Sequence, residues 1–481
     1  MGGFFGVIKK DTSCVDELFY GVDYNSHLGT RRAGMATFDE RQRHFARQIH
    51  NIENSYFRTK FEQDLADFHG SSGVGVISDT DAQPIIINCS LGKFALVTVA
   101  RINNIPEIEA RLLAKGVHFC EHSRDTINPT ELVAALIADG KDIVDGIENV
   151  FRSVKGSCSL LLLSDNGLIA ARDYYGRTPI SIGAKDGAHA ASSENCAFVN
   201  LGYRMVYNVG PGEIVRLTPD EIIQLRAPQK RMQVCAFLWT YYGYPPCSYE
   251  GRNVDAMRHQ CGCVMGREDA DSDIDFVSPI PASGTGMALG YAEGARKPYL
   301  RGIVKYTPTW PRSFTPGTQS RRELVAKMKL IPNADLLKGK SVAFCDDSIV
   351  RGTQLRDNVM DIRDAGARAV HVRISCPPLI YPCEFINYTA SKSPMELIAR
   401  RVIATLDPDA DESVLRQYAT AGTERYNRMV EAIRQELGLD SLRFSSIEDL
   451  VAAIGLPREQ VCLHCFDGSS FCVGCAPDDK V

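Results

Sequence analysis

The sequence predicts a sheet-rich α+β domain followed by an α/β domain built on a parallel sheet. With 481 residues, the chain exceeds what a single hydrophobic core usually serves, which favours two domains. Up to about residue 225, short strand-like runs alternate with turns and helical stretches, whereas the later chain repeats the order strand, loop, helix. We therefore predict domains at residues 1–230 and 231–455 and a cysteine-rich tail at residues 456–481.

The individual elements follow from local patterns. In the first domain, residues 94–100, 159–163 and 213–217 have the apolar character of strands. In the second, a strand at 275–280 precedes a helix at 287–294, and a strand at 342–345 precedes a helix at 353–365 and a strand at 369–374. This alternation predicts parallel strands with helices on both faces. The charge-rich residues 407–431 are expected to form a solvated helical excursion.

Composition excludes several classes of function. Hydrophobic residues make up 44% and charged residues 23% of the chain, as in ordinary globular enzymes. A net charge of -5 gives no electrostatic footprint for nucleic acid. The longest strongly apolar run, residues 160–163, is far shorter than the roughly 20 residues that cross a bilayer. We expect a cytoplasmic protein that binds neither nucleic acid nor membrane.

The strongest candidate site lies at residues 342–353, VAFCDDSIVRGT. An apolar strand ends there in Asp346 and Asp347, whose carboxylates can accept hydrogen bonds from the vicinal hydroxyls of a ribose. The turn and helix start that follow offer backbone N–H groups to a phosphate. These residues are Ser348, Ile349, Val350, Arg351, Gly352 and Thr353. For an Asp-Asp pair alone, helix capping would be the simpler explanation.

The whole string resembles the phosphoribosyltransferase signature, in the form found in the glutamine-dependent amidophosphoribosyltransferases of purine biosynthesis. Residues 279–292, PIPASGTGMALGYA, resemble that family's pyrophosphate loop, which implies that Ser283, Gly284, Thr285 and Gly286 bind pyrophosphate. The resemblance implies a type I phosphoribosyltransferase fold for the second domain and an N-terminal-nucleophile hydrolase-like sandwich for the first. It also implies phosphoribosylpyrophosphate as substrate and Mg²⁺ bound with it at Asp346 and Asp347.

Basic residues between the two motifs are candidate catalytic groups. Lys305 and Arg312 match the family's catalytic loop and would neutralise the leaving pyrophosphate, whereas residues 306–311 diverge from it. Exposed surface charge is the alternative explanation for both residues.

The first domain resembles a glutaminase that has lost its catalytic residues. Residues 2–7, GGFFGV, match the family's N-terminus, but Gly2 stands where the family has its nucleophilic cysteine. Ile77 aligns with the arginine that grips the glutamine carboxylate, and Val99 and Ala100 align with the oxyanion residues. Only Asp125 and the string Ala82-Gln83-Pro84 persist. The resemblance therefore implies that glutamine is not hydrolysed.

The chain contains 16 cysteines, and two C-x2-C pairs stand near its end. The four residues Cys462, Cys465, Cys472 and Cys475 have the spacing of a zinc knuckle. The iron-sulfur branch of the family implies instead a 4Fe-4S cluster at Cys235, Cys383, Cys462 and Cys465, with the last two cysteines unexplained. Unliganded thiols are the third possibility.

Two functions remain open from the sequence. One is a transferase that makes 5-phosphoribosylamine from phosphoribosylpyrophosphate and ammonia. The other is a non-catalytic partner that binds phosphoribosylpyrophosphate or nucleotides and regulates an active paralogue. The family resemblance further implies purine nucleotide effectors and a homo-oligomer.

Overall fold

The protein is described by a computed structural model that covers residues 2–123, 126–270, 272–306, 330–386 and 393–469. Within these ranges the chain forms two large antiparallel sheets, then a parallel sheet, and no helix combines the length and apolarity needed to cross a membrane.

The first half of the chain begins with a strand and ends with a hairpin. Its strands are β1 (Gly2–Lys9), β2 (Arg32–Asp39), β3 (His44–Asn51), β4 (Ser72–Ser78), β5 (Ile85–Cys89), β6 (Gly92–Ile102), β7 (His122–Ser123), β8 (Thr126–Ile127), β9 (Gly156–Ser164), β10 (Gly167–Ala171), β11 (Ser181–Lys185), β12 (Ala188–Ser192), β13 (Arg204–Asn208), β14 (Ile214–Leu217) and β15 (Ile222–Arg226). Its helices are α1 (Val15–Asp23), α2 (Phe57–Phe61), α3 (Ile105–Ala114), α4 (Pro129–Ala138), α5 (Ile143–Ser153) and α6 (Cys196–Asn200), with a 3-10 turn at Leu65–Asp67.

These elements form four layers. One sheet has the order β13-β11-β12-β1-β4-β2-β3 and the other β15-β14-β10-β9-β6-β5. The two sheets face each other across one core, with α1 and α2 on the outside of the first sheet and α4 and α5 on the outside of the second. The layering follows from side-chain alternation along strands: Phe4 and Ile8 point between the sheets, while Phe5 and Val7 point towards α1.

The second half carries β16 (Val234–Cys235), β17 (Ser248–Tyr249), β18 (Arg252–Asn253), β19 (Phe276–Pro279), β20 (Ile303–Lys305), β21 (Leu330–Pro332), β22 (Ser341–Asp346), β23 (Ala369–Ile374), β24 (Ser441–Phe444) and β25 (Val461–Cys462). Its helices are α7 (Val254–Glu268), α8 (Thr285–Ala295), α9 (Ala334–Leu337), α10 (Thr353–Asp364), α11 (Ile398–Leu406), α12 (Glu412–Ala419), α13 (Glu424–Glu436), α14 (Ile447–Ile454) and α15 (His464–Asp467). A π-helical turn lies at Leu238–Tyr242, and 3-10 turns lie at Pro394–Glu396 and Arg458–Gln460.

A parallel sheet in the order β19-β22-β23-β24 forms the centre of this half. Helix α8 packs on one face, against Ala343 and Cys345, and α10 packs in the core on the other face with Val342 and Phe344. Glycines allow α7 and α8 to approach closely: a Cβ at Gly290 would stand 1.9 Å from the backbone oxygen of His259. The parallel pairing places the carboxyl ends of β19 and β22 side by side.

The predicted order, an α+β sheet domain followed by an α/β domain, is confirmed. The charge-rich segment is helical as predicted, but it is not solvated all round. One face of α12 and α13 enters the main core of the second half through Leu415, Tyr418, Met429 and Ile433. Its last helix, α13, packs beside β24, the last strand of the parallel sheet.

Candidate active site

Two loops meet at the carboxyl edge of the parallel sheet. The loop after β19 carries residues 280–284 into α8, and the loop after β22 carries residues 347–352 into α10. Pro279 lies opposite Cys345 in the register of β19 and β22, so both loops leave the sheet at the same level. The hydroxyl of Ser283 lies 3.5 Å from a carboxylate oxygen of Asp346. The structure thus brings the two motifs found in the sequence together at one edge.

The two carboxylates are fixed by hydrogen bonds. Asp346 Oδ1 accepts the backbone N–H of Asp347 at 2.9 Å, and Asp347 Oδ1 accepts the hydroxyl of Ser348 at 2.7 Å. Burial, and then the charge of Asp347, raise the pKa of Asp346 well above its usual range. Burial also raises the pKa of Asp347. Ionisation of both carboxyl groups is therefore unfavourable, and hydrogen bonds from hydroxyl groups or a bound cation would favour the ionised forms.

The turn after the carboxylates depends on Gly352. Its φ is +80°, in the left-handed region, and it stands immediately before the twelve-residue helix α10. A Cβ at this position would stand 2.5 Å from Cδ1 of Ile398. The turn therefore requires glycine both for its conformation and for its packing against α11.

The pyrophosphate-type loop also depends on a close approach. A Cβ at Gly284 would stand 2.1 Å from the backbone oxygen of Cys345, and one at Gly286 would stand 2.3 Å from Oδ1 of Asp255. Thr285 and Gly286 begin α8, an eleven-residue helix whose first N–H groups face the same edge. The predicted anion-binding residues thus lie at a helix start beside the carboxylates.

Three residues that support the site were missed by sequence reasoning. Arg258 is buried in α7, donates to the carbonyls of Trp239 and Gly243, and interacts electrostatically with Asp347. Ser375 donates its hydroxyl to the carbonyl of Asp347 at 3.1 Å, and Arg401 donates to the carbonyl of Arg351 at 3.0 Å. The contacts of these three residues join segments that are separated in the sequence, so no local sequence pattern predicts them.

Of the two candidate catalytic cations, one lies within the described residues. Lys305 is the last residue of β20 and is exposed, opposite Leu330 of β21. Arg312 lies outside the described residues, as do residues 307–329 around it.

A cavity of about 290 Å³ lies at the amino end of the first half. Gly2, Val99 and Ala100, the three positions aligned with a glutaminase site, line it together. At its far side it is lined by Phe385 and Ile386 from the second half of the chain. Gly2 pairs with Ser78 of β4, and a Cβ at Gly2 would stand 2.5 Å from the backbone oxygen of Ile77.

The structure corrects the assignment of Ile77. Its side chain is fully buried in the core between the first sheet and α1, and it does not line the cavity. The reason is strand alternation: the neighbouring Ser78 faces the cavity, so Ser78 rather than Ile77 stands at the position relevant to a substrate. Asp125 lies outside the described residues.

The surviving polar groups at the cavity bond to one another. Asp81 accepts the hydroxyls of Thr80 at 2.5 Å and Thr130 at 2.6 Å, and Gln83 donates to the carbonyl of Thr98 at 3.1 Å. Thr98 in turn donates its N–H to Gln83 Oε1 at 2.7 Å. The Ala82-Gln83-Pro84 string thus serves to tie β6 to the preceding loop.

Four cysteines from three distant segments of the sequence converge in the second half. Cys235 and Cys462 lie opposite each other in the parallel pair β16 and β25, and both are buried. The sulfur of Cys383 accepts the backbone N–H groups of Phe385 at 3.5 Å and Ile386 at 3.2 Å. Cys465 and Cys383 are hydrogen-bonded partners, which lowers the pKa of Cys383. Burial raises the pKa of Cys462, partly offset by the guanidinium of Arg177 from the first half.

The four sulfurs are not gathered around one point as the ligands of a single ion would be. Among the described residues, no three of the four sulfur atoms lie within 4.8 Å of one another. Sulfurs around one zinc ion, with bonds of about 2.3 Å, would be about 3.8 Å apart. The described arrangement therefore does not match a single zinc ion bound by these four cysteines. Cys472 and Cys475, which the alternative zinc knuckle needs, lie outside the described residues.

Comparisons with known proteins agree with this architecture. Residues 71–200 match the model of the glutamine amidotransferase domain family. The amidophosphoribosyltransferase of Methanocaldococcus jannaschii is 31% identical over 490 residues, covering 97% of this chain and 97% of that protein. The amidophosphoribosyltransferase of Mycobacterium bovis is 30% identical over 479 residues, covering 97% of this chain and 85% of that protein.

A solved structure extends the likeness to the fold. The glutamine phosphoribosylpyrophosphate amidotransferase of B. subtilis, complexed with ADP and GMP, superposes with a TM-score of 0.83 at 28% identity, covering 100% of this chain and 99% of that one. This match confirms the predicted sandwich of the N-terminal-nucleophile hydrolase type followed by a type I phosphoribosyltransferase domain. The chain belongs to the amidophosphoribosyltransferase family.

Proposed function

We propose that this protein makes 5-phosphoribosylamine from phosphoribosylpyrophosphate in purine biosynthesis, with ammonia rather than glutamine as nitrogen source. The observation that carries the proposal is the meeting of two anion-binding loops and two adjacent carboxylates, one half-buried and one buried, at one sheet edge, marked by the contact between Ser283 and Asp346. In the reaction the ammonia nitrogen attacks C1 of the ribose, the bond from C1 to the pyrophosphate oxygen breaks, and a proton leaves the nitrogen.

The ribose and its 5-phosphate are assigned to the loop after β22. The carboxylates of Asp346 and Asp347 accept the vicinal hydroxyls, and the N–H groups of residues 348–353 bind the phosphate at the start of α10. Gly352 adopts the left-handed conformation of this turn, and because glycine has no side chain the turn stays open to the phosphate. Arg401 supports the turn from outside through the carbonyl of Arg351.

The pyrophosphate is assigned to Ser283, Gly284, Thr285 and Gly286. Mg²⁺ would accompany it, since magnesium reaches phosphate sites through few protein ligands, and here these would be Asp346 and Asp347. The raised pKa values of the two carboxyls fit this role, because a divalent cation or hydroxyl donors would favour their ionised forms. Lys305 and Arg312 would neutralise the charge that develops on the leaving group.

The cavity at Gly2 supports ammonia over glutamine. Position 2 offers neither thiol nor hydroxyl, and a Cβ there would stand 2.5 Å from a backbone oxygen. Val99 and Ala100 line the cavity without side-chain donors for an oxyanion. The first domain would then act in structure or regulation, and ammonia would come from solution or from another protein.

The converging cysteines fit a 4Fe-4S cluster. Cys235, Cys383, Cys462 and Cys465 supply the four thiolates that such a cluster requires, and the N–H groups of residues 385 and 386 supply hydrogen bonds to one sulfur. When bound, the cluster would join β16, β25 and the loop after β23 into one unit. Loss of the cluster is thus expected to loosen the C-terminal segment.

Further binding partners of this protein are proposed from its relatives. The related structure from B. subtilis is a complex with ADP and GMP, which supports purine nucleotides as effectors of this protein. We also propose a homo-oligomer located in the cytoplasm, with domains at residues 1–230 and 231–455 and the cysteine-rich tail beyond.

Pyrophosphate release tests the proposal. Anaerobically purified protein, given phosphoribosylpyrophosphate, Mg²⁺ and ammonium, is expected to release pyrophosphate, and Asp347→Asn is expected to lower kcat/KM at least tenfold. The matched control is Asp409→Asn, because Asp409 is exposed and remote from the sheet edge in sequence. No release with ammonia would contradict the proposal and favour the regulatory, non-catalytic function.

A further inference from the structure

A second cluster of metal-ligand side chains lies where the two halves of the chain meet. Glu194 and Cys196 lie between β12 and the first turn of α6, and Cys247 directly precedes β17. One carboxylate oxygen and the two sulfurs all lie within 4.8 Å of one another. His27, which follows α1, brings its Nε2 to 2.9 Å from the same carboxylate oxygen. None of these residues belongs to the proposed active site or to the iron-sulfur cysteines.

The two oxygens of Glu194 have separate environments. Oε1 accepts the hydroxyl of Tyr249 at 2.5 Å and the N–H of Tyr244 at 3.3 Å. Oε2 faces Cys247 Sγ at 3.2 Å and Cys196 Sγ at 3.9 Å, as well as the imidazole of His27. Both oxygens are thus hydrogen-bonded: the donors on Oε1 orient the carboxylate, while Oε2 lies against the three side chains that could bind a metal together with it.

Burial makes a bound cation favourable here. The Glu194 side chain is 1% exposed and Cys247 is fully buried. A buried carboxylate is costly unless it is paired, and thiol S–H groups are weak donors. A divalent ion bound by two thiolates, a carboxylate and an imidazole would satisfy all four groups at once.

We propose that Glu194, Cys196, Cys247 and His27 bind a structural zinc ion that joins the two halves of the chain. Zinc bonds of about 2.0–2.3 Å place neighbouring ligand atoms about 3.3–3.8 Å apart in a tetrahedron. Cys247 Sγ and Cys196 Sγ lie 3.2 and 3.9 Å from Glu194 Oε2, close to these values. His27 Nε2 lies 2.9 Å from the same oxygen but outside the group of atoms that are all within 4.8 Å of one another, so binding requires the His27 ring to move towards the sulfurs. Each ion bound displaces the two thiol protons to solvent.

A weaker cluster at the surface serves as a control. Cys263 Sγ lies 3.5 Å from Nδ1 of His259, whereas Glu293 contacts Nε2 of the same ring at 3.2 Å. One ligand atom from each of these three residues lies within 4.8 Å of the others, but the set offers a single thiolate and the Glu293 side chain is 70% exposed. We expect no tightly held zinc at this cluster.

Metal content of anaerobically purified full-length protein tests the assignment. We expect one zinc ion per chain after dialysis against a moderate chelator. The zinc content should fall at least tenfold in Cys247→Ser and stay unchanged in Cys263→Ser and Cys462→Ser. Zinc that survives Cys247→Ser overturns the site, and zinc lost only in Cys462→Ser assigns it to the C-terminal cysteines.

A second measurement needs no variant. Cys196 is partly exposed, and Cys120 is exposed elsewhere on the surface. Added zinc is expected to slow alkylation of Cys196 by iodoacetamide at least tenfold and to leave Cys120 unchanged, as read by peptide mass spectrometry. Equal alkylation of Cys196 with and without zinc, or a disulfide between Cys196 and Cys247 in the reduced preparation, contradicts the proposal. The outcome is independent of transferase activity.

Discussion

Replacing Asp346 with asparagine is expected to stabilise the fold and to weaken the binding of phosphoribosylpyrophosphate. The asparagine Oδ1 can still accept the N–H of Asp347, which Asp346 Oδ1 accepts at 2.9 Å. The substitution therefore keeps the turn and removes one of two adjacent ionisable carboxyl groups.

The size of the expected stability gain follows from the repulsion between the two adjacent carboxylates. Two unit charges about 4 Å apart at an effective dielectric constant of about 20 repel by about 4 kcal/mol. Protonation and the nearby Arg258 offset most of this, so we expect a gain of about 1 kcal/mol in unfolding free energy, or about 2 °C in Tm. Loss of a charged acceptor should weaken ligand binding about ten- to hundredfold.

The stability gain should depend on pH. Burial, and then Asp347, raise the pKa of Asp346 in the folded protein above its value in the unfolded chain. The folded state thus binds this proton more tightly, so wild-type stability falls as pH rises above the unfolded value of about 3.9. The advantage of Asp346→Asn should therefore be small near pH 4 and grow towards neutral pH.

Thermal melts at several pH values, with calorimetric titration of phosphoribosylpyrophosphate and Mg²⁺, measure both effects. The comparison variant is Asp347→Asn, which leaves the buried Arg258 without the carboxylate that it faces and should not gain stability. A lower Tm for Asp346→Asn, or unchanged ligand affinity, would refute the reasoning.

Three other changes test separate parts of the structure. Gly2→Cys should not create glutaminase activity, because its Cβ would stand 2.5 Å from the Ile77 carbonyl; glutamate release above a no-enzyme control would show otherwise. Gly352→Ala should weaken phosphoribosylpyrophosphate binding in calorimetry and cost about 1–2 kcal/mol of stability, since φ is +80° and Ile398 occupies the space; a neutral result would contradict the packing argument. Anaerobic protein should carry about four iron atoms per chain, and Cys383→Ser should lose most of them, whereas no iron together with zinc that is lost in Cys462→Ser would favour the zinc knuckle.

The parallel half could be predicted from the sequence because its signals are local. An apolar strand, two carboxylates and a glycine before a helix stand within twelve residues, and the structure ends β22 at Asp346 and begins α10 at Thr353 as expected. The sequence also indicates why position 352 is glycine, since a turn that needs a left-handed residue accepts few other residue types.

The rest depends on contacts between distant segments. Arg258 lies about ninety positions from Asp347 in sequence, and nothing around it marks it as a partner. Ile77 was misassigned because a shift of one position along a strand exchanges core and cavity. The helices α12 and α13 were expected to be solvated because their many charges obscure the inward positions of Leu415 and Met429.

The central claim is that the transferase works with ammonia and has lost the use of glutamine. Its most direct test is the rate of pyrophosphate release by anaerobically purified wild-type protein, measured in parallel with saturating ammonium and with saturating glutamine. We expect steady release with ammonium and, with glutamine, a rate no higher than that without any nitrogen donor. Release driven by glutamine, accompanied by glutamate in equal amount, would contradict it.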